Sequence, residues 1–317
     1  MPPRLIDIAT SLGVSAATVS NVLSGKGRVS PELADQIRSE AERRGYAPGG
    51  PGRALRTGRS GVLGLVLPDL SNPLFPRMAQ ALEHESAAVG YGMLIADSHG
   101  NARNQQGAIA RLLKSGADGI ILVPRRGAQL EDCAAPLVII DTPSSPDNTV
   151  SADHYQGGTL IVGHLTRFNH RSLVFVGESN LSGVQRDRIA GMRDALPSYC
   201  TARTVWLEQE GPAAVVAAVK QGATAIAATS DLVALRLLAV LEDAKIAVPQ
   251  QVSLSGFDDL IFASVMRPTL TTVIADEFAI ARNAIKALIA QIEGTDHLPP
   301  SAIPMTLIPR TSTTGTP

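Results

Sequence analysis

The chain has 317 residues, which is longer than one ordinary domain and predicts two or three. It is 44% hydrophobic and only 3% aromatic, so it can build sizeable cores. No apolar run approaches the ~20 residues of a membrane helix, and the first residues lack the apolar stretch of a secretory signal. The two cysteines, Cys133 and Cys200, make neither a disulfide framework nor a metal-ligand cluster. We therefore expect a cytoplasmic protein.

The charge is distributed unevenly along the chain. Residues 1–60 contain nine basic and five acidic residues, a net charge of +4, so the remainder carries −5 to give the formal total of −1. A basic head on an acidic body suits phosphate binding by one end. An excess of this size also fits a chance fluctuation of surface charge, so it is weak support for nucleic-acid binding.

Residues 5–24 predict two short helices joined by a tight turn. Gly13 ends the first helix because glycine adopts a left-handed backbone at little cost, and Ser15 is placed to cap the second. The outer face of the second helix is small and uncharged, with Ala16, Ala17, Thr18, Ser20 and Asn21. A helix-turn-helix of this shape puts its second helix into the DNA major groove. An ordinary helical hairpin is the alternative.

A third helix and a linker follow. Ser30 and Pro31 are a cap and a first helical residue, and the helix runs to about Arg44 as scaffold rather than as a reader of bases. Residues 47–60 have the glycine and proline content of a linker, with interspersed arginines.

From Gly61 onwards strands alternate with helices. Continuous apolar runs predict parallel strands buried on both faces, in two doubly wound α/β lobes with right-handed crossovers. The predicted strands are Val62–Pro68, Gly92–Asp97, Gly119–Pro124 and Leu137–Asp141, then Ser172–Gly177, Thr204–Glu208, Thr224–Thr229, Val252–Phe257 and Thr271–Ile274. The predicted helices are Met78–Val89, Asn104–Ser115, Arg186–Leu196, Pro212–Gln221, Asp231–Ala244 and Glu277–Ile292.

Ligands of open α/β sheets bind beyond the carboxyl ends of the strands. That rule selects the polar groups that directly follow the predicted strands: Asp69, Asp97, Ser98, Asp141, Ser230, Asp231, Asp258 and Asp259. Such residues also cap helices and loops. Asp231 is better interpreted as the cap of the helix after it, and Asp259 fits a loop cap as well as a ligand group.

Five motifs carry a resemblance to a known family: IDIATSLGVSAATVSNVLSG, RVSPELADQIRSEAERRGYAP, RALRTGRSGVLGLVLPDLSNPLF, GVQRDRIAGM and VSLSGFDD. In this order they resemble the LacI family of bacterial transcription regulators over nearly the whole chain. The resemblance implies a helix-turn-helix domain (1–46), a hinge (47–60) and a periplasmic-binding-protein-like core (61–317). The two lobes of that core would be about 61–151 plus 276–301 and about 152–275 plus 302–317.

The resemblance also implies how DNA is bound. Ala16, Ala17 and Asn21 match the positions that read bases, while Ser15, Thr18 and Ser20 suit phosphates. Leu55 matches a leucine that wedges into the minor groove from a hinge helix, with Arg53 and Arg56 beside it. A palindromic operator needs two copies of the reading helix, so we expect a homodimer.

Matched to the family motifs, the effector pocket comprises Asn72, Phe75, Met78, Asp141, Arg188, Ser230 and Asp258. Carboxylates beside a guanidinium fork suit hydroxyl pairs, and Phe75 can stack on the apolar face of a sugar. A sugar or sugar derivative is the first expectation and a nucleobase the second. Arg188 can instead bridge the lobes by ion pairing. His154, next to Asp153, is interpreted as structural, and no metal or cofactor is expected.

Together these features predict a ligand-responsive, sequence-specific transcription regulator of the repressor type, with no enzymatic activity. Either an inducer or a corepressor fits these residues. The alternative is a dinucleotide-dependent oxidoreductase, which needs Gly-x-Gly-x-x-Gly after Leu67, where the chain has PDLSNP instead. A transport binding protein does not explain residues 4–60.

Overall fold

The computed structural model describes residues 5–23, 29–44, 59–100, 102–124, 133, 135–300 and 302–316. The chain forms two compact units, Met1–Val62 and Leu63–Pro317. The predicted bounds of the hinge and of the two lobes stay predictions.

The described residues of the first unit form three helices, α1 (Leu5–Leu12), α2 (Ala16–Leu23) and α3 (Pro31–Arg43). Their apolar faces meet in a small core around Ile8, Val19 and Ile37, all fully buried. The axes of α1 and α2 differ by 109°, an angle typical of a helix-turn-helix. Both predicted helices and the third are confirmed, and Ser30 caps α3 by accepting a hydrogen bond from the Leu33 N–H at 3.3 Å.

The second unit is built on two four-stranded sheets. The first has the strand order β2-β1-β3-β4, with β1 (Val62–Leu67), β2 (Gly92–Asp97), β3 (Ile120–Leu122) and β4 (Leu137–Ile139). Its helices are α4 (Leu74–Ala88), α5 (Ala102–Lys114) and α11 (Glu277–Glu293). We call this the first lobe. Apolar side chains cover both faces of its central strands, as the continuous runs predict.

The second lobe contains the sheet β7-β6-β8-β9, whose strands pair in parallel. Its strands are β6 (Ser172–Gly177), β7 (Thr201–Trp206), β8 (Ala225–Ala228) and β9 (Ser253–Ser255). Its helices are α6 (His154–Arg167), α7 (Gly183–Asp194), α8 (Leu207–Glu210), α9 (Ala213–Lys220) and α10 (Asp231–Asp243). A 3-10 helix, Ile261–Ser264, follows β9.

Two small strand pairs join the lobes. The chain crosses through β5 (Ser151–Ala152), which pairs in parallel with β11 (Ala302–Ile303). It crosses again through β10 (Thr272–Ala275), which pairs antiparallel with β12 (Met305–Ile308). The crossings that the family resemblance implies near residues 152, 275 and 301 stay predictions, and Ser301 itself lies outside the described residues.

Three details of the strand prediction are wrong. The run Gly92–Asp97 is not buried on both faces, because β2 lies at the sheet edge and leaves Leu94 and Ile95 exposed by 37% and 46%. Residues 272–274 belong to the antiparallel crossing pair, and Thr271 alone makes a parallel bridge with Ser255 of β9. The strand placed at 204–208 runs from Thr201 to Trp206, because its first three residues are exposed and residues 207–208 are helical. In addition, α6 is absent from the predicted helices.

Among the described residues, no single helix is long and apolar enough to span a membrane, and the bent pair α1 and α2 passes that test by length and composition only.

Helices α6 and α7 pack unusually closely because glycines lie at their crossing. A Cβ on Gly191 would lie 1.9 Å from the Tyr155 carbonyl oxygen, and one on Gly158 would lie 2.1 Å from the Arg188 carbonyl oxygen. Both distances are far shorter than any real contact. The second glycine of the GVQRDRIAGM motif, Gly191, is therefore required by the backbone-to-backbone approach that places Arg188.

We predict that Gly191→Ala lowers the free energy of unfolding by about 1–3 kcal/mol or more, since the added methyl must force α6 and α7 apart. The control is Gly163→Ala on α6, where an added Cβ meets nothing within 4 Å. That change should instead stabilise the protein by up to about 1 kcal/mol through helix propensity. Chemical denaturation of both variants measures this, and equal effects would contradict the packing argument.

Candidate functional site

The outward face of α2 carries the predicted DNA-reading residues. Ala16, Ala17 and Asn21 are exposed, whereas Val19 and Val22 are buried against α1 and α3. Thr18 and Ser20 lie at the margin of this face and are half-buried. The structure therefore brings the predicted readers onto one side of the helix.

Ser15 caps α2, as predicted. Its Oγ accepts a hydrogen bond from the Thr18 N–H at 3.0 Å and lies 2.8 Å from the Thr18 hydroxyl. The cap fixes the first turn of α2, which carries the two alanines. A phosphate contact by Ser15 stays a prediction and is compatible with this cap, because Ser15 is exposed.

The basic residues of α3 and its end are engaged with carboxylates inside the first unit. Glu40 accepts hydrogen bonds from Arg43 at 2.7 Å and from Arg44 at 2.5 Å, and these bonds lower the pKa of Glu40 to about 2. Arg38 pairs with Asp35 at 3.0 Å. These pairs support the prediction that α3 is scaffold. The predicted hinge residues Arg53, Leu55 and Arg56 lie outside the described residues.

The centre of the second unit's candidate site is Arg188 on α7, which is 4% exposed. Its Nη2 donates to the Asp258 carboxylate at 2.8 Å, and its Nη1 donates to the Thr229 carbonyl oxygen at 2.6 Å. The guanidinium carbon lies 4.5 Å from the centroid of the Phe257 ring. A buried guanidinium needs such partners, because its desolvation otherwise outweighs its attractions.

His154, the first residue of α6, completes this cluster. Its Nδ1 lies 3.3 Å from both Nε and Nη2 of Arg188 and accepts from them. Burial, followed by the positive charge of Arg188, lowers the pKa of His154 well below its usual value. The imidazole is therefore neutral, with the proton on Nε2 facing the Asp141 backbone, which accepts its hydrogen bond. His154 thus connects Arg188 of α7 to Asp141 at the end of β4, a connection that sequence reasoning missed.

Asp258 and Asp259 lie in a loop with two successive left-handed residues, at φ values of 97° and 46°. The Asp258 N–H donates to the Val273 carbonyl oxygen at 2.8 Å, which ties the loop to the crossing strand β10. The Asp259 carboxylate pairs with Arg310 at 2.6 Å. Asp258 is therefore the carboxylate available at the cluster, and Asp259 anchors the loop to the segment after β12.

Asp231 is not the cap of α10, as the sequence suggested. Ser230 is the N-cap, accepting from the Val233 N–H at 3.2 Å. Asp231 is the first helical residue and is fully buried, where it accepts from the Leu260 N–H and the Thr272 hydroxyl, both at 2.7 Å. Burial, and then the charge of Asp258, raises the pKa of Asp231 to about 7.

The predicted pocket residues of the first lobe have more varied surroundings. Asn72 accepts from the Leu74 N–H at 3.1 Å within its own turn, and Phe75 and Met78 pack partly against the core. Asp141 is half-buried at the end of β4, and burial raises its pKa. Asp69 and Asp97, also selected by the strand-end rule, accept backbone N–H groups of nearby loops.

Side chains that sequence reasoning did not select also shape the site. The Gln185 Oε1 accepts from the Glu178 N–H at 2.7 Å and from the Thr229 hydroxyl at 3.2 Å, which joins the ends of β6 and β8. Asp187 accepts hydrogen bonds from the Thr142 hydroxyl and, at 3.4 Å, from the Ser144 N–H, across the two lobes. Both residues lie in GVQRDRIAGM, so the motif was the available signal.

The described residues contain no group of three or more His, Cys, Asp or Glu that could hold a metal ion. The cluster around Arg188 instead offers carboxylates, a guanidinium and a neutral imidazole next to an aromatic ring. Such groups can bind a small polar molecule through directed hydrogen bonds.

Comparisons with known proteins give a match for each of the two units. Residues 4–49 match the model for bacterial regulatory proteins of the lacI family, and residues 162–313 match that for a periplasmic binding protein-like domain. The chain is 30% identical to the HTH-type transcriptional regulator AscG of Escherichia coli K12, over 97% of each chain.

Solved structures with the same fold include the lac repressor dimer bound to operator and the anti-inducer ONPF. It has a TM-score of 0.75 and 21% identity, over 99% of this chain and 100% of that one. A periplasmic binding protein/LacI transcriptional regulator from Alkaliphilus metalliredigens, complexed with D-xylulofuranose, has a TM-score of 0.71 and 22% identity, over 80% of this chain and 99% of that one.

The buried Asp231 makes stability depend on pH. Because its pKa is higher in the folded chain than its ordinary 3.8, the folded state holds a proton that the unfolded state releases between about pH 4 and pH 7. The contribution of Asp231 is therefore fully present below pH 4 and is lost as the pH rises to about 7. The slope cannot exceed about 1.4 kcal/mol per pH unit.

We predict that Asp231→Asn removes this slope, because an amide can accept from the Leu260 N–H and donate to the Thr272 hydroxyl without titrating. Urea unfolding of both proteins between pH 4.5 and pH 8 measures the difference. Parallel pH profiles for the two proteins would show that Asp231 ionises at its ordinary pH.

Proposed function

Since this chain belongs to the LacI family of bacterial transcription regulators, we propose that it binds operator DNA through α2 and binds a sugar effector between its two lobes. The observation that carries the effector half is the buried cluster of Arg188, Asp258 and His154 at the strand ends. The DNA half is supported by the small, uncharged outer face of α2 and by the 109° angle between α1 and α2.

The chemistry of the cluster favours a polyhydroxylated effector. Carboxylates of Asp141 and Asp258 can accept hydrogen bonds from hydroxyl groups, and the guanidinium of Arg188 supplies a donor in a fixed direction. Phe75 offers an apolar surface for a sugar ring. The regulator from A. metalliredigens, which shares the fold, is complexed with a sugar, D-xylulofuranose.

Effector control follows from two states of the lobes. A sugar that contacts both lobes binds one degree of closure better than the other and shifts the population towards it. Operator affinity then changes by a factor set by that difference in affinity. The same device gives induction or corepression, according to which state the effector prefers.

We propose a homodimer, because a palindromic operator requires two reading helices. The second unit carries apolar side chains that suit such an interface. Ile261 and Val265 at the 3-10 helix are 82% and 66% exposed, and Leu94 and Ile95 line the free edge of β2. Exposed apolar residues on a sheet edge favour association with another chain.

A regulator of this kind works in the cytoplasm, where its DNA is. We assign no catalytic role to the cluster, whose residues are those of a binding site. The turn after β1 lacks the glycines that a dinucleotide-binding enzyme needs, so the oxidoreductase alternative is not supported.

A thermal-shift screen of sugars, sugar acids and nucleobases tests the effector site. A true effector at 100 times its dissociation constant should stabilise the protein by about 2.7 kcal/mol. Arg188→Lys keeps the charge but loses the planar fork, so it should abolish most of this ligand-induced shift. Each variant is compared with its own ligand-free melting temperature.

The control for this screen is Arg203→Lys. Arg203 lies on β7 and forms a surface ion pair with Glu210. It should keep the full shift. If Arg188→Lys and Asp258→Asn both keep it as well, the effector does not bind at this cluster. A shift with nucleobases alone would replace the sugar with the second expected class.

Sedimentation velocity tests the dimer. We predict a dimer for the natural chain and dissociation for Ile95→Asp or Ile261→Asp, because a buried, unpaired carboxylate at an interface is costly. The matched change Leu181→Asp, at a residue 63% exposed near the end of β6, should leave the dimer intact. A stable monomer of the natural chain, with and without operator, would contradict the proposal.

A further inference from the structure

A second arginine, Arg77 on α4, contacts the loop that carries Asp258. Its Nη1 donates to the Asp259 carbonyl oxygen at 2.7 Å, and its Nη2 donates to the Asp258 carbonyl oxygen. Helix α4 belongs to the first lobe, whereas the loop follows β9 of the second lobe. Arg77 therefore joins the two lobes directly behind the carboxylate that pairs with Arg188.

The loop needs such a donor. Asp258 and Asp259 both have left-handed backbones, a conformation that non-glycine residues adopt only when their surroundings hold them. Their N–H groups bond to β10 and its Thr272 side chain. Arg77 donates to both carbonyl oxygens, so one guanidinium fixes the two peptide planes on either side of the Asp259 Cα.

Glu277 holds Arg77 in this orientation. Its carboxylate accepts from the Arg77 Nε at 2.8 Å and lies 2.6 Å from Nη2. Glu277 is the first residue of α11, directly after the crossing strand β10 and the cap residue Asp276. The Glu277 side chain is 11% exposed and that of Arg77 31%, so solvent screens the pair only in part.

We propose that Arg77 is a positioning residue: it sets the place of the Asp258 carboxylate in the effector site and links that carboxylate to α4 and α11 of the first lobe. This deepens the proposed function and rests on it for the identity of the site. When a bound effector displaces Asp258, the Asp258 loop also pulls on Arg77. Arg77 lies on α4 and is held by Glu277 of α11, so the displacement reaches both helices of the first lobe.

The chain offers a matched control. Arg282 on α11 pairs with Glu85 on α4 at 3.2 Å. This pair joins the same two helices of the first lobe as the pair of Arg77 and Glu277. Arg282→Met removes an arginine–glutamate pair without touching the loop. Arg77→Met removes the pair and both loop contacts, and Arg77→Lys restores a donor and the charge.

Hydrogen–deuterium exchange of the full-length protein measures the loop directly. We expect Arg77→Met to speed exchange of the amides at residues 258–260 by about tenfold or more, because the hydrogen bonds that hold the loop are lost. Arg77→Lys should recover part of the protection. Exchange in β6 and β8 of the same lobe should stay unchanged, which separates a local effect from general destabilisation.

Arg282→Met should leave exchange at residues 258–260 as in the natural chain. The proposal would be overturned if amides 258–260 exchange in Arg77→Met at the rate of the natural chain, or if both methionine variants accelerate their exchange equally. Should Arg77→Met fail to fold, the partial acceleration expected for Arg77→Lys decides the same question.

A ligand arm uses D-xylulose and D-ribose as probes, by calorimetric titration. Where the natural chain binds a probe, Arg77→Met should weaken binding at least about fivefold and Arg282→Met should not. Unchanged affinity in Arg77→Met would overturn the link to the effector site. If neither probe binds the natural chain, the sugar class of the proposed function is in question, while the exchange result still decides the role of Arg77.

Discussion

The burial of one guanidinium constrains the whole second unit. Arg188 is almost inaccessible to solvent, so it needs a charge partner, a carbonyl oxygen and an acceptor nitrogen, and the structure provides Asp258, Thr229 and His154. These partners come from the ends of three separate elements. Arg188 therefore contacts the ends of several elements of the second lobe, next to the strands that cross between the lobes. A molecule that binds at this cluster would change these contacts.

The same constraint explains features that otherwise look unrelated. The glycines at the α6–α7 crossing let the Arg188 backbone approach α6, and an imidazole held neutral beside a cation can only accept from it. Gly256 leaves room for the Asp231 carboxylate, because a Cβ there would lie 2.3 Å from its Oδ1. Asp231 in turn holds the Leu260 N–H just beyond the Asp258 loop.

Periodicity and motif order predicted the helix-turn-helix, most strands of both sheets and the proximity of Arg188 to Asp258. The edge position of β2 could not be predicted from the sequence, because a continuous apolar run looks the same whether one or two strands flank it. The contact of His154 with Arg188 and the role of Arg77 were missed for a related reason, because their partners lie 34 and 181 residues away in the sequence. The prediction that Asp231 caps α10 was wrong because Ser230, one residue earlier, also has a capping side chain and is the N-cap in the structure.

The most direct test of the account is a fluorescence-anisotropy titration of the full chain on a fragment of its own upstream promoter against scrambled competitor. We predict a preference of roughly 10³-fold or more for the promoter fragment at physiological salt, shifted at least about fivefold by the sugar that stabilises the protein. The sugar shift should vanish in Arg188→Lys while the preference for the promoter persists. Equal binding to promoter and scrambled DNA, with or without sugar, would contradict it.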